Sequence, residues 1–491
     1  MIEKNRTLGW PFGAMYCSIA FPQAINITIK DPKEVAAMRQ KTRKQLPLAE
    51  STPDHPKAEE LAVISQILDR NPIIYDRAQQ DLTKRVNSPE KGAKGMTAEQ
   101  VVRAAIIKQT EGFSYKQLAF HIQDSRCYMK FCKVGFADKP WKKSGLQRNI
   151  KALRPETWEF INQTILADAR QNNIEDGRQV RIDCTVTGSN IHEPTDSSLL
   201  WDCVRVLNRL MGKACEALPG LNFPYHDHCR RAKRRSLAVL NAKDKKGREK
   251  AYKDLLTVTG KTINYAKGAV EELKRFRPTD LLGAAVAIGV KKELDEYISL
   301  AGRVTDQTER RVIKGEQVPA EEKVFSIFEP HTDIIIKDRR DIHYGHKVCL
   351  TGGKSNLILD CVILEGNPAD STLSDVMLDR QEKIYGHYPK QAAFDGGFAS
   401  RANLETAKGK GVEEVCFAKG KGLDAKDMCS SHDIFKKLRN FRAGIESGIS
   451  WLKRCFGLWR CLWKGFKAFK SYVWSAAVSA NLLTLARAEL A

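Results

Sequence analysis

Residues 179–188 read QVRIDCTVTG. The run is rich in Val, Ile and Thr and alternates with a period near two, which predicts a β-strand. It is also where the pattern of the chain changes, from helical spacing before it to mixed strand and helix after it. Asp183 sits inside the run, between Ile182 and Cys184. A lone carboxylate in an otherwise apolar strand costs free energy unless ionic partners satisfy it.

Downstream, a helix is expected to be capped near Thr195-Asp196-Ser197 and to run to about Cys215. Residues 216–322 then read as mostly helical and strongly basic. Within 227–275 there are 15 Lys/Arg against 6 Asp/Glu, densest at Arg230, Arg231, Lys233, Arg234 and Arg235. A phosphate-contacting arm is the functional reading of this run, and a solvated helix face the plain one. Beyond it, His346–Thr351 and Leu357–Leu364 read as strands joined by a Gly-Gly-Lys-Ser-Asn turn, and 371–385 as a helix. Gln391–Phe394 is a short strand, Ser400–Lys408 a helix, Glu413–Phe417 a strand, and 440 onward a long helix. With the stretch at about 200–322 set aside as a helical insertion, the order of elements resembles that of the RNase H-like fold.

Upstream, residues 96–175 carry helix-spaced apolar positions such as Val101, Val102, Ala105 and Ile106, then Leu118, Ala119 and Ile122. Thr97 with Gln100, Ser114 with Gln117, and Ser144 with Gln147 each fit a capping box. Two short helices joined by a tight turn resemble a helix-turn-helix, and basic residues including Arg148 surround them. An all-α DNA-binding domain is therefore expected over 38–177, ahead of a catalytic domain over 178–491. Residues 9–28 lack charge, but Pro11 and Pro22 interrupt them, so 1–37 are read as a poorly ordered N-terminal extension rather than a membrane anchor. The run 471–486 is short for a bilayer and reads as a packed helix.

The chain has 491 residues and a formal charge of +22, with 42% hydrophobic and 29% charged residues. That composition excludes a mainly disordered chain and a multi-span membrane protein, and the charge favours a polyanionic partner. Thirteen cysteines without a CxxC pair argue against a disulfide framework and for a reducing cytoplasm. Candidate zinc ligands are Cys127 with Cys132, and His226, His228 and Cys229. Neither has a second pair at finger-like spacing, and buried thiols and loop histidines are the simpler reading.

Two further acids stand out. Asp395 ends a short strand and precedes Gly396 and Gly397, which suit a sharp turn and close approach of a ligand. Glu446 is the only acid among ten Lys/Arg between 436 and 470. On a helix, Arg442, Glu446 and Lys453 fall at roughly 0°, 40° and 20°, on one face. Asp183, Asp395 and Glu446 together could hold two Mg²⁺ (or Mn²⁺) ions, since oxygen-only ligands suit these metals. Two such ions about 4 Å apart support in-line phosphoryl displacement. Arg442 and Lys453 would then lie on phosphates. The aromatic residues interleaved with the basic run, Trp451 to Phe469, read chiefly as the buried side of the helix.

These residues resemble the DDE transposases of bacterial insertion sequences, in particular the ISNCY-like group with an InsH-type N-terminal domain. The resemblance is carried by SGLQRNIKALRPETWEFIN (144–162), RIDCTVTGSNIHEPTDSSLL (181–200), YGHKV (344–348), FDGGFAS (394–400) and FRAGIESGISWLKR (441–454). Arg442, Glu446 and Lys453 match the last three positions of a Y-x2-R-x3-E-x6-K signature, whereas Arg439 stands at the tyrosine position. The resemblance covers roughly 45–487. It implies catalytic, metal-binding Asp183, Asp395 and Glu446 in an RNase H-like core, binding of terminal inverted repeats, and DNA cleavage and strand transfer without a covalent intermediate. A homodimer on double-stranded DNA is expected because two ends must be joined, in the bacterial cytoplasm at the nucleoid and without a membrane. Two other classes stay open at this point, an RNase H-like nuclease without strand transfer and a non-catalytic DNA-binding descendant of a transposase.

Overall fold

A computed structural model describes residues 41, 53–84, 95–135, 138–278, 280–337 and 341–491. The expected extension over 1–37 lies outside these. The described chain is a mixed α/β structure built on one mixed six-stranded sheet and many helices.

Seven helices precede the sheet: α1 (Pro56–Asp69), α2 (Ile73–Thr83), α3 (Ala98–Thr110), α4 (Tyr115–Asp124), α5 (Arg126–Phe131), α6 (Lys143–Ala152) and α7 (Pro155–Gln171). Capping boxes form at Thr97–Gln100 and Ser114–Gln117 and fix the starts of α3 and α4. The third expected box does not form. Helix α6 begins a residue before Ser144, with Lys142 at its cap and no side-chain bond there. Apolar burial at Leu146 and Ile150 sets its register instead.

Strand β1 (Gln179–Gly188) is the stretch read first from the sequence. The insertion follows as α8 (Asp196–Ala217), α9 (Cys229–Leu240), α10 (Lys245–Arg275) and α11 (Leu281–Thr308). Thr195 caps α8 in a capping box with Ser198. These helices close around an apolar core of their own, running from Leu199 to Ile327. The chain then returns to the sheet through β2 (Asp333–Lys337), β3 (Asp341–Gly353), β4 (Ile358–Ile363), α12 (Ser374–Tyr385), β5 (Gln391–Phe394), α13 (Arg401–Gly409) and β6 (Glu414–Phe417). A short α14 (Ala425–Met428) leads to α15 (His432–Cys455) and α16 (Phe466–Leu490).

The strand order is β2-β3-β1-β5-β6, with β4 also paired to β3. Strand β3 runs antiparallel to β1, β2 and β4, whereas β5 is parallel to β1 and β6 parallel to β5. The apolar core of the sheet is continuous with that of the N-terminal helices. Helix α16 joins the two. Asn481 on α16 accepts from the Ile358 amide at 2.7 Å and donates to the Ile358 carbonyl and to Asn162 of α7, each at 2.8 Å. Buried Ser471, Ser475, Ala476, Ala477, Ser479 and Ala480 let neighbouring helices approach it closely. No helix among the described residues is long and apolar enough to cross a membrane.

Candidate active site

The parallel register of β1 and β5 pairs Ile182 with Phe394. The next residues on the two strands are Asp183 and Asp395, so backbone pairing alone makes the two acids neighbours where β5 ends. Ligand sites of open α/β sheets gather beyond the carboxyl ends of strands. Gly396 and Gly397 do not adopt positive φ here; they are needed for room. A Cβ on Gly396 would meet the Lys419 side chain at 2.8 Å, and one on Gly397 the Asp370 carboxylate at 2.7 Å.

Helix α15 brings the third acid. Its buried residues Leu438, Ile445 and Leu452 recur every seven positions and dock one stripe onto the sheet. Arg181 fastens the helix further. It lies two residues before Asp183, on the same face of β1. Its guanidinium stacks 4.8 Å from the centre of the Phe441 ring, donates to the Phe441 carbonyl at 3.1 Å and to Asn356 Oδ1 at 2.6 Å. Burial pulls its pKa below the usual arginine value. A Cβ on Gly444 would overlap Arg181 Nη1, so the approach of strand and helix requires glycine there. Both residues lie in the runs that carry the family resemblance, 181–200 and 441–454, where their type alone assigns them no role. The signal available was the i, i+2 spacing of Arg181 and Asp183.

The three acids meet at one guanidinium. Arg442 Nη2 lies 3.1 Å from Asp183 Oδ2 and 2.8 Å from Asp395 Oδ1, and Arg442 Nη1 lies 2.7 Å from Glu446 Oε1. Asp183 also accepts the Cys184 amide at 2.7 Å. Exposure rises across the cluster, with side-chain values of 13% for Asp183, 39% for Asp395 and 61% for Glu446, so the site opens on the Glu446 side. All donors are carboxylate oxygens, the chemistry that suits Mg²⁺ or Mn²⁺. As they stand they surround a cation of the chain itself. Among the described residues no three His, Cys, Asp or Glu side chains form a ready metal-ligand set.

Arg442 and Lys453 both lie on α15, but eleven residues at about 1.5 Å each separate them by about 16 Å along the helix. Lys453 lies 5.2 Å from the centre of the Trp459 ring, at a cleft that Arg460, His192 and Tyr344 also line. That cleft forms where the expected long helix breaks. Residues 456–465 leave α15 and bond to the end of β1, with the Gly188 amide donating to Trp459 O at 3.0 Å and the Cys461 amide to Gly188 O at 2.8 Å. Phe456, Trp463 and Phe469 are buried, as expected of that aromatic run, whereas Trp459 is exposed.

The remaining basic candidates lie away from this cluster in sequence. Arg148 is exposed on α6. Arg230, Arg231, Lys233, Arg234 and Arg235 are all exposed on α9, over a buried Ala232, Ser236 and Val239. Arg231 and Arg235 both pair with Asp254 of α10.

Two family models match the chain. Residues 49–152 match a transposase domain (DUF772), and residues 336–482 match a transposase DDE domain. The second match contains Asp395 and Glu446 and begins after Asp183 and the insertion. No curated protein and no solved structure matches. With a transposase domain on its N-terminal helices and a DDE domain over the later part of its sheet, the chain belongs to the DDE transposases of insertion sequences.

Proposed function

We propose that the protein is the DNA transposase of an insertion sequence, binding its terminal inverted repeats and performing metal-dependent strand cleavage and strand transfer. The observation that carries this reading is the convergence of Asp183, Asp395 and Glu446 on one guanidinium, from two strands and a helix more than 260 positions apart in sequence. The strand order β4-β3-β1-β5-β6, antiparallel then parallel about β1, supports an RNase H-like catalytic core.

In this reading Asp183, Asp395 and Glu446 hold two Mg²⁺ or Mn²⁺ ions. When bound, the metals supply activation of a water or 3′-hydroxyl and charge stabilisation at the leaving oxygen. The chain's own residues do the rest. Arg181 and Gly444 fix α15 against β1 so that Glu446 faces the two aspartates. Lys453, Arg460 and the α9 cations Arg230, Lys233 and Arg234 neutralise phosphates and position the duplex. Helix α4 presents Lys116, Gln117 and Gln123 outward, polar residue types that read base edges, beside an exposed Phe120 suited to a thymine methyl, which fits a recognition helix within a DNA-binding region at 38–177. A homodimer on DNA, acting in the cytoplasm at the nucleoid, completes the proposal.

The test is a Mg²⁺-dependent cleavage and strand-transfer assay on fragments carrying the element's own ends. Asp183→Asn, Asp395→Asn and Glu446→Gln are each expected to abolish cleavage and leave DNA binding largely intact. Cleavage retained in any one removes that residue from the site, and cleavage without joining assigns a nuclease.

A further inference from the structure

We propose that Arg442 is the resident counter-ion of the three-acid cluster, a cation that a divalent metal must displace, and that it thereby sets the metal affinity of the site. The inference rests on the metal-binding reading above and adds to it a role for a residue the acids do not themselves reveal.

The geometry carries the argument. Three carboxylates in one place repel each other unless a cation stands among them. Here a single guanidinium serves all three, Nη2 spanning Asp183 and Asp395 and Nη1 taking Glu446. The oxygens aim at two nitrogens of this fork instead of at a common point where an ion could sit. A metal and Arg442 therefore compete for the same oxygens. The guanidinium is also incompletely satisfied, because its Nε is buried and donates to no partner among the described residues. Leaving the cluster sacrifices three ion pairs but not a full set of five donors.

Displacement does not send the cation far. Arg442 sits one helical turn before Glu446 on α15, so its fork stays at the rim of the site once the carboxylates turn to metal. A guanidinium fork binds phosphate oxygens as readily as carboxylates. The phosphate contact expected from spacing and the carboxylate contact in the structure thus become two positions of one side chain, the second held while the metal is absent.

The sign of the effect separates this role from a purely structural one. An arginine that merely ordered the carboxylates would, on removal, weaken metal binding. An arginine that competes with the metal would, on removal, strengthen it. The experiment is calorimetric titration of the full-length protein with Mn²⁺ in the absence of DNA, for wild type, Arg442→Gln and Arg442→Lys, with thermal melts followed by circular dichroism. Removing one unit of positive charge beside a divalent ion is expected to tighten Mn²⁺ binding about tenfold or more in Arg442→Gln. Arg442→Lys, which keeps the charge and loses the fork, should fall between. Metal-free Arg442→Gln should melt below wild type, and Mn²⁺ should restore most of the loss. Unchanged or weaker Mn²⁺ binding in folded Arg442→Gln overturns the proposal while sparing the metal-binding reading. If that variant does not fold, the same outcome in Arg442→Lys overturns it. Absence of Mn²⁺ binding in wild type and variants alike overturns both.

Discussion

Arg181 and Gly444 show how much of the site depends on residues that carry no catalytic chemistry. Arg181 shares a face of β1 with Asp183, and it reaches the backbone of α15 one turn before Glu446. Gly444 is the gap into which that guanidinium fits. Gly444→Ala places a methyl group where Arg181 Nη1 now lies, so strand and helix must separate. Overpacking of this kind costs about 1–3 kcal/mol, to be read from urea unfolding. Cleavage is expected to fall further than stability alone explains, because Glu446 shifts with the helix. A variant as active and as stable as wild type would show that the Arg181 contact does not position the helix. A sequence alone gives little hint of such a pair, since its members are 263 positions apart and ordinary in type.

At the scale of elements, local pattern and tertiary context divide the outcome. Strand β1 falls on the expected run because it contains several β-formers, whereas β5, Gln-Ala-Ala-Phe, has one and was legible as a short apolar run ending at Asp395-Gly396-Gly397. The Thr97, Ser114 and Thr195 caps form with partners three residues on, a local pattern, whereas the equally spaced Ser144 and Gln147 form none because α6 starts before Ser144. Strand β2 has a local signal, the β-branched run Ile334-Ile335-Ile336, and pairs with the start of β3 close by in sequence, so its absence from the sequence expectation is an omission. The break at 456–465 was not legible, because it is fixed by a distant partner, the end of β1. The acids were legible as odd charges in their surroundings, whereas their capture by Arg442 was not, since helical angles place side chains without choosing their partners. The break has an energetic consequence at Lys108 of α3. Its ammonium lies 5.0 Å from the centre of the Tyr115 ring and 5.9 Å from that of Trp463, which the break brings in. Burial, and then repulsion from Lys151, push its pKa down to about 8. In the unfolded chain the same group holds its proton to about 10.4. Between those values the unfolded state binds more protons, so this group makes stability rise with pH from about 8 to about 10. Below pH 8 the folded protein carries the buried charge at a cost. Lys108→Met is expected to stabilise at pH 7 by about 1–2 kcal/mol, with the gain shrinking toward pH 10. Melts of both proteins across that range check it, and a gain that is absent at pH 7 or grows with pH would contradict the buried-charge account.

Across the whole molecule, the 81 Lys and Arg behind the net charge of +22 are unevenly committed. Many pair internally with acids, as with Arg442 in the acid cluster and Arg103, buried between Asp69 and Glu99. The insertion is where cations stand outward in a row. It closes around its own core between β1 and β2, and α9 projects five basic side chains from its surface. They are not equivalent. Arg231 and Arg235 share Asp254, while Arg230, Lys233 and Arg234 make no ion pair among the described residues. A phosphate gains most from a cation that need not first leave a carboxylate. Each phosphate neutralised contributes about 0.9 to the slope of log affinity against log salt. Changing Arg230, Lys233 and Arg234 together to Ala should therefore lower that slope by about 2–3, alike on a duplex carrying the element's ends and on an unrelated duplex. Changing Arg231 and Arg235 should lower it by less per residue, since each change also frees part of Asp254 to repel the backbone without removing an uncommitted cation. Fluorescence anisotropy across a salt series measures both. Equal slopes in wild type and the triple variant would remove α9 from the DNA-facing surface and return its basic run to an ordinary solvated helix face.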